Sequence, residues 1–535
     1  MAKFNSRRGV PKYQTPERKA SVVRSKVAAG RTGQGGAGYQ RHLKGELFLL
    51  ATSNFGQEKS FYTNSDFVRL IRQAAVAHPN WTARFLSWLR TGANMRTGAV
   101  MGAAHYVDAR LKAQEFGGNR PVVASVLQRL DQVGELFAYW DEAIGTPYPM
   151  ALKRGAGDAL INLVNQYSYL KYDPATAKYR VRDLINLTHP GDWRRSKQYF
   201  RDQAQADLFE YILKSSYDND FELPLSASML YARRQLMAVP VAKRRKHLKT
   251  DELAAAGMTW EALAGWLQGP MDKQAWEAII PTMNYMALLR NLRNFDEAGV
   301  SDEVATQVIL KLTNPDEVAR SKQFPMRFLA AYREAPSLRW SYPLEQALML
   351  SLSNLPTLTG RTLVMIDASD SMRDTLSADS TMNREDSAVL FGLAIAGSCQ
   401  HVDVVAFSAD MVHAGVHYPL SKEFPYVPGE SLLKSVARWN EGGYFISAGT
   451  QTAEAIRKHY RNHDRVIILT DEQFQGSDPA RAYPATIPGY TWNLAGYRVG
   501  SVSGTQYRHT MGGLTDAALL QISALEAGYS DSWPF

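Results

Sequence analysis

The sequence predicts a helical-repeat protein that is followed by an α/β doubly wound domain. Three observations predict it. Apolar residues recur with helical spacing up to about residue 350, β-branched strand-like runs alternate with helical runs beyond it, and two of those strands end in a carboxylate. We expect a basic flexible arm at 1–44, a helical module at 45–355 and an α/β domain at 356–535.

The helical module is predicted from apolar stripes. Phe67, Leu70, Ile71 and Ala74 follow the i, i+3, i+4, i+7 pattern directly behind the capping residues Asn64-Ser65-Asp66. Similar stripes occur at Trp81, Phe85, Trp88 and Leu89, at Val122, Val126, Leu130 and Val133, and at Leu208, Phe209, Ile212 and Leu213. Short helices with Gly, Pro and Asn turns and no strand-like alternation favour stacked antiparallel pairs, although no fixed repeat length is present.

The α/β domain is predicted from alternating elements. The expected strands lie at 363–366, 402–407, 465–470 and 494–499, and the expected helices at 387–398, 452–459 and 517–527. This alternation is typical of a mostly parallel sheet with helices on both faces.

The first of these strands runs into Asp367, Ser369 and Ser371, an Asp-x-Ser-x-Ser motif. A carboxylate and two hydroxyls on one tight turn are hard oxygen ligands, which suit Mg²⁺. Thr450 follows a glycine in a small polar loop, and Asp471 ends another strand. Because loops at the carboxyl ends of parallel strands meet, we expect these five residues to form one metal site.

Two other interpretations of the motif remain open. Asp367 and Ser369 are also suitable helix caps, in which case Thr450 and Asp471 are ordinary loop residues. Asp367 as a phosphoryl-accepting nucleophile is less favoured, because no second carboxylate stands two residues after it.

These residues and their surroundings, from about residue 356 to 535, resemble a von Willebrand factor A domain with a metal-ion-dependent adhesion site. The resemblance implies that Asp367, Ser369, Ser371, Thr450 and Asp471 hold Mg²⁺ or another divalent cation.

Charge is divided unevenly along the chain. Residues 356–535 carry a net charge of −6 and the preceding residues +15, with a dense basic arm before residue 44. A basic excess of this size attracts phosphate backbones, and the arm is of a kind that orders against RNA or DNA. General solubility and an unstructured tail are the alternative explanations.

Several chemistries are excluded or disfavoured. The single cysteine, Cys399, allows no intrachain disulfide and no zinc ribbon, which favours a reducing, cytoplasmic location. The Gly-x-x-x-x-Gly-Lys-Ser/Thr motif of ATPases is absent, and no residues are arranged for general-base catalysis. We therefore expect a protein that is not an enzyme and that does not enter a membrane.

The helical module is similar to the TROVE module of the Ro ribonucleoprotein family, and we expect a bacterial or phage member. The most specific match is the run 286–292, and further matches are found at 35–36, 47–49, 61–62, 90, 96, 152–154 and 183–190. The order of modules, helical first and A-domain last, is also that of Ro proteins.

This resemblance implies a ring of HEAT-like repeats closed with the help of the A-domain. It also implies that single-stranded 3′ ends of misfolded RNA enter the hole while Y-type small RNA binds the outer surface, on a protein that is itself a monomer. An exoribonuclease such as polynucleotide phosphorylase is an implied partner.

The family's Y RNA-contacting region matches residues 171–189. The implied contacts in and beside this region are Lys153, Arg154, Lys171, Lys178, Arg180, Arg182 and His189, and weaker candidates for the ring interior are Arg90, Arg96, Arg290 and Arg293. A structural histidine is the alternative for His189, and ion pairs with carboxylates between helices are the alternative for Arg290 and Arg293. The turn at 172–176 departs from the family's basic turn. A basic cluster at 243–249 is a further nucleic-acid candidate, with a solvated helix face as the alternative.

Two functions follow. The first is an RNA-binding scaffold for noncoding-RNA quality control. The alternative is a metal-dependent protein-adhesion scaffold in which the A-domain binds an acidic partner. A Mg²⁺-dependent nuclease is a third, less favoured option.

Overall fold

The computed structural model carries side chains and describes most of the chain after residue 64. The described residues are 39–40, 43–53, 65–190, 200–215, 217–218, 221–335, 337–352, 355, 357–375, 382–413, 416–494, 499–500, 507–511, 522, 525–526, 533 and 535. The predicted arm lies outside them except for its last few residues.

Helices fill the first part of the chain, as predicted. They are α1 Leu43–Ser53, α2 Ser65–Ala77, α3 Pro79–Thr91, α4 Arg96–Lys112, α5 Asn119–Val126, α6 Leu130–Ala143, α7 Met150–Leu163, α8 Gln166–Tyr172, α9 Val181–Thr188, α10 Gln203–Lys214, α11 Ser228–Met237, α12 Thr250–Ala255, α13 Trp260–Leu267, α14 Lys273–Ile279, α15 Tyr285–Glu297, α16 Asp302–Leu312, α17 Pro315–Ser321, α18 Pro325–Glu334 and α19 Leu338–Ser351. Every residue of the predicted apolar stripes is buried. The third stripe spans two helices, α5 and α6, rather than one.

The helices form a row in which most of them contact one or more helices that are close by along the chain, and the row closes on itself. The Nζ of Lys322, after α17, donates a 2.7 Å hydrogen bond to the carbonyl oxygen of Thr91 at the end of α3. The Nδ2 of Asn94 donates a 3.2 Å hydrogen bond back to the carbonyl oxygen of Lys322. The predicted helical ring followed by an α/β domain is therefore confirmed.

A six-stranded sheet forms the centre of the second part, in the order β10-β8-β7-β2-β3-β6. Its strands are β2 Leu358–Asp367, β3 Cys399–Phe407, β6 Ser421–Phe424, β7 Arg465–Thr470, β8 Gly489–Asn493 and β10 Arg508–Met511. All neighbours are parallel except β3 and β6. The helices beside it are α20 Arg384–Ser398, α21 Leu432–Glu441 and α22 Thr452–His459, and a separate hairpin joins β4 Met411–His413 to β5 Val416–Tyr418.

The strand expected at 494–499 is not found at its first residue, because Leu494 already lies beyond β8, which ends at Asn493. Residues 495–498 lie outside the described residues, and Val499 begins the short strand β9 Val499–Gly500. Strand β8 itself was not predicted. Buried polar side chains at Thr491 and Asn493 hide this strand from an apolar pattern. The helix expected at 517–527 falls mostly outside the described residues.

Two large hydrophobic cores organise the molecule. The first contains α1 to α10, and the second runs from the later helices into one face of the sheet, with α20 and α21. Helix α11 belongs to both, because Leu230 packs into the first core and Leu236 into the second. A smaller core on the other face of the sheet includes α22.

The two ends of the chain also meet. Strand β1 Tyr39–Gln40 pairs antiparallel with β9 Val499–Gly500, and Trp533 and Phe535 pack against the first core. No helix among the described residues is both long and apolar enough to cross a membrane.

Candidate metal centre and nucleic-acid interface

Three loops converge at the carboxyl edge of the sheet. Strands β2 and β7 are neighbours, and the chain leaves β2 toward β3 on one side and returns as β7 on the other. This is the topological switch point at which open α/β sheets form their ligand sites. Asp367 ends β2, and Asp471 directly follows β7.

The first loop is built around Asp367, which is fully buried. Its Oδ1 accepts a 3.0 Å hydrogen bond from the Ser369 backbone N–H, and its Oδ2 accepts a 2.5 Å bond from the Thr470 hydroxyl. The hydroxyls of Ser369 and Ser371 lie 3.3 Å apart. The carboxylate and both serine hydroxyls of the motif therefore share one small space.

The second loop brings Thr450 to the same place. The Asp370 N–H donates to the Ala448 carbonyl oxygen at 3.2 Å, and the Gln475 N–H to the Thr450 carbonyl oxygen at 2.7 Å. The loop is strained, because Ser447 and Ala448 have φ angles of 64° and 112°. Left-handed backbone at residues other than glycine costs about 1–3 kcal/mol each and is concentrated at functional sites.

Two oxygens at this site lack hydrogen-bond partners among the described residues. They are Thr450 Oγ1 and Asp471 Oδ2, and both residues are completely buried. Buried polar atoms are almost always satisfied, so each exception calls for a specific explanation. A role as ligands of a hard cation would explain both unsatisfied oxygens. The five residues therefore fit a divalent metal.

The electrostatics agree with this fit. Burial, with the nearby charge of Asp471, raises the pKa of Asp367 to about 7. Burial likewise raises the pKa of Asp471, while a hydrogen bond from Ser371 opposes the rise. The closest positive group to Asp471 Oδ2 is the Arg384 guanidinium, at 3.9 Å. A divalent cation would offset the cost of holding two carboxylates out of water.

The site relies on hydroxyl groups. In the part of the chain that the structure describes, no group of three or more His, Cys, Asp or Glu could hold a metal. A cation held by Asp367 and Asp471 would therefore take its other protein ligands from Ser369, Ser371 and Thr450. Such a site carries few charges, and a bound cation keeps an affinity for an anionic oxygen of a partner.

Three supporting residues were not predicted from the sequence. Thr470 orients Asp367, as described above. The Ser408 hydroxyl fixes the strained loop by donating to the carbonyl oxygens of Ser447 at 3.0 Å and Gly449 at 2.9 Å. Arg384 Nη1 holds the Ser371 carbonyl oxygen at 3.1 Å. Thr470 and Ser408 each stand at the carboxyl end of a strand, and that position is the signal that could have found them.

The predicted RNA contacts differ in their availability. Arg154 is exposed and Lys153 half-buried at the start of α7, and neither side chain has an ion-pair or hydrogen-bond partner among the described residues. His189 is exposed and ends α9 with a φ of 47°. Helices α7 and α9, which carry these residues, are packed together, since a Cβ at Gly157 of α7 would lie 3.5 Å from the Thr188 carbonyl oxygen of α9.

The other four predicted contacts in this region already have internal partners. Lys178 forms a 2.7 Å ion pair with Asp141, and Arg180 an ion pair with Asp173. Arg182 lies 3.4 Å from Asp183. The Lys171 ammonium lies over the rings of Tyr167 and Tyr172, 5.5 and 5.3 Å from their centroids. The turn at 172–176 thus contributes an acid, Asp173, that neutralises part of this surface.

The candidates for the ring interior also divide. Arg90 is buried, with Nη1 donating to Asn94 at 3.2 Å, and Arg96 lies 3.7 Å from Glu135. Arg293 pairs with Glu334 at 3.1 Å. Arg290 is exposed on α15 and has no partner among the described residues.

The basic cluster at 243–249 is mainly structural. Arg244, Arg245, His247 and Lys249 bind neighbouring carbonyls or carboxylates. Of the cluster, Lys243 and Lys246 are left without side-chain partners among the described residues.

Comparison with known proteins bears directly on this arrangement. The family model described as the TROVE domain matches residues 253–360. A solved structure, the crystal structure of the Deinococcus radiodurans RO (RSR) protein, superimposes with a TM-score of 0.56 over 85% of this chain and 93% of that chain, at 14% identity. The chain therefore contains a segment that matches the TROVE domain, and it has the fold of this RO (RSR) protein.

The resemblance to the Ro family is thereby confirmed. The segment matched by the TROVE model contains α15, with the run 286–292 and Arg290, and it contains Lys322 of the ring closure. It ends inside β2, just before the metal-site turn. No curated protein sequence matches the chain.

Proposed function

We propose that this chain is a non-catalytic, RNA-binding scaffold for noncoding-RNA quality control. The observation that carries the proposal is the closure of the helical row between α3 and α17 in a part of the chain with a net charge of +15, of which residues 1–44 carry +10 and the helical module at 45–355 carries +5. A basic ring attracts the phosphate backbone, and it admits a single strand more readily than a folded duplex.

The proposed binding mode has two parts. Single-stranded 3′ ends of misfolded RNA enter the ring, with Arg290 as the leading contact because its guanidinium is exposed and has no partner among the described residues. A Y-type small RNA binds the outer surface around Lys153, Arg154 and His189, where the predicted contacts are least engaged by the protein itself. The scaffold acts in the cytoplasm and presents RNA ends to an exoribonuclease such as polynucleotide phosphorylase.

The test compares two RNAs of equal length, one a hairpin with a single-stranded 3′ tail and the other a blunt hairpin. We expect the tailed RNA to bind at least 10-fold more tightly, with an affinity that falls steeply as salt rises. Equal affinity for the two RNAs would contradict entry of a free end into the ring. Cleavage of either RNA on addition of Mg²⁺ would contradict the non-catalytic assignment.

A second candidate function is favoured by the two unsatisfied oxygens of Thr450 and Asp471. Here Mg²⁺ at the A-domain captures an acidic side chain of a partner protein, and the ring only positions it. Asp367→Ala separates the two functions. Loss of partner capture with unchanged RNA affinity supports adhesion as a separate activity, and loss of RNA affinity would place the metal in RNA binding.

A further inference from the structure

The ring is held together unevenly around its circumference. The two large cores are joined through α11 by Leu230 and Leu236. The neighbouring helix α8 adds two hydrogen bonds there, because Gln166 donates to the Ser226 carbonyl oxygen at 3.0 Å and accepts from the Met229 N–H at 2.9 Å. At this joint the two bodies are therefore connected by the covalent chain of α11 and by its buried apolar side chains.

The opposite junction is of another kind. We call it the seam, and it consists of Thr91, Asn94 and Lys322. Its two hydrogen bonds are solvent-exposed. Exposed hydrogen bonds exchange readily with water and contribute little net stability. These two hydrogen bonds therefore add little to the stability of the closed ring.

An apolar contact spans the same two bodies. Trp533 lies with its ring centroid 5.3 Å from that of Phe48 and 5.0 Å from that of Trp81. Phe535 lies 5.5 Å from Trp81, 5.8 Å from Phe85 and 5.6 Å from Trp88. These four partners sit on α1 and α3, and α3 is the helix that ends at the seam.

We propose that Trp533 and Phe535 form an aromatic latch that docks reversibly in a pocket of Phe48, Trp81, Phe85 and Trp88 and keeps the ring closed at the seam. When the latch is docked, the first core and the body containing the A-domain are joined on both sides. When it leaves, the short pairing of β1 with β9 and the exposed hydrogen bonds of the seam do not hold the bodies together, and they turn about α11 so that the seam opens. Aromatic side chains suit this role, because they bury a large area through few rotatable bonds.

The latch deepens the proposed RNA-binding function, and it therefore rests on that function for its consequence. A closed ring accepts RNA only through a free end. An open ring also accepts a strand from the side, so the state of the latch decides whether RNA without ends can enter.

The test uses the full-length chain with Cys399→Ser and spin labels at Arg84→Cys on α3 and Arg320→Cys on α17, both of which are exposed. Label distances are compared between the closed protein, the double variant Trp533→Ala/Phe535→Ala, the conservative variant Trp533→Phe, and the control Phe116→Ala. Phe116 is an aromatic residue that is 72% exposed. We expect a longer and broader distance distribution in the double variant alone.

A binding measurement accompanies the distances. Circular and linear single-stranded RNAs of the same sequence are titrated against each protein, and we expect the double variant to gain at least 10-fold in affinity for the circle while the control gains nothing. An unchanged label distance in a folded double variant would overturn the latch. If the parent protein binds neither RNA, the proposed function fails, and the label distances still decide the latch.

Discussion

The carboxylates of Asp367 and Asp471 are both fully buried and stand at the ends of two neighbouring parallel strands. The charge of Asp471 adds to burial in raising the pKa of Asp367. Two neighbouring buried carboxylates disfavour each other's ionisation. A divalent cation bound between them would offset the repulsion between their negative charges.

We predict that Mg²⁺ stabilises the protein through this pair. At a Mg²⁺ concentration 100 times its Kd, the free energy of unfolding should rise by about 2.7 kcal/mol, measured as an increase in Tm. Thr450→Ala and Asp471→Asn should abolish the increase, because each removes an unsatisfied oxygen. Asp410→Asn, at an exposed carboxylate of the nearby hairpin, is the control and should retain it. An equal response in all four proteins would place Mg²⁺ elsewhere.

A second prediction concerns pH. Burial, with a contribution from Asp386, raises the pKa of Glu385 to about 7, against a hydrogen bond from Trp439 that lowers it. The folded protein therefore binds more protons than the unfolded chain between about pH 4.5 and 7, and the contribution of Glu385 to stability is lost as pH rises through that window.

Glu385→Gln should remove this pH dependence while keeping the 3.2 Å acceptor for Trp439 Nε1. The difference between variant and parent in unfolding free energy should change by up to about 3 kcal/mol from pH 4.5 to 8, measured by urea denaturation. Glu297→Gln, at a carboxylate that is 65% exposed, is the matched control. Parallel pH profiles for parent and Glu385→Gln would refute the prediction.

The third prediction compares basic side chains that have no partner in the described part of the protein with one that already forms an ion pair. Lys153→Glu/Arg154→Glu should weaken binding of a structured RNA by 10-fold or more and reduce the slope of log K against log salt by about 2. Lys178→Gln should have a smaller effect, because its ammonium group is committed to Asp141. Filter binding at several salt concentrations measures both quantities. A larger loss with Lys178→Gln would reverse this assignment.

The fourth prediction tests how the metal-site turn is supported. A Cβ at Gly392 of α20 would lie 2.6 Å from Ile366 Cδ1 and 2.9 Å from its Cγ1, and Ile366 directly precedes Asp367. Gly392→Ala should destabilise the protein by about 1–3 kcal/mol through overpacking and should weaken Mg²⁺ binding. Gly397→Ala, whose Cβ would meet only the Tyr426 hydroxyl at 3.4 Å, should change neither. Thermal unfolding with and without Mg²⁺ measures both effects.

Much of this architecture could be predicted from local pattern. Apolar stripes such as Phe67 to Ala74 face a core because their spacing places all of them on one side of a helix. The loops of the candidate metal site meet because parallel strands have their carboxyl ends at the same edge of the sheet. Strand β8 was missed because its buried Thr491 and Asn493 break the apolar pattern. The sequence could not show which basic side chains are free to bind RNA, because the carboxylates that pair with Lys178 and Arg293 lie 37 and 41 residues away along the chain.

The seam was equally hidden from the sequence. Asn94 and Lys322 are polar loop residues separated by 228 positions, and nothing in either neighbourhood marks them as partners. The docking of Trp533 is likewise set only by the assembled fold, because its contacts are on α1 and α3.

The division of the interior into two large cores that share α11 has a thermodynamic consequence. All-or-none melting requires that neither half stays ordered without the other, and here each half retains its own apolar centre. Calorimetry should accordingly give a total enthalpy larger than the van't Hoff value, with the α1 to α10 half and the half that contains the α/β domain denaturing as separate cooperative units.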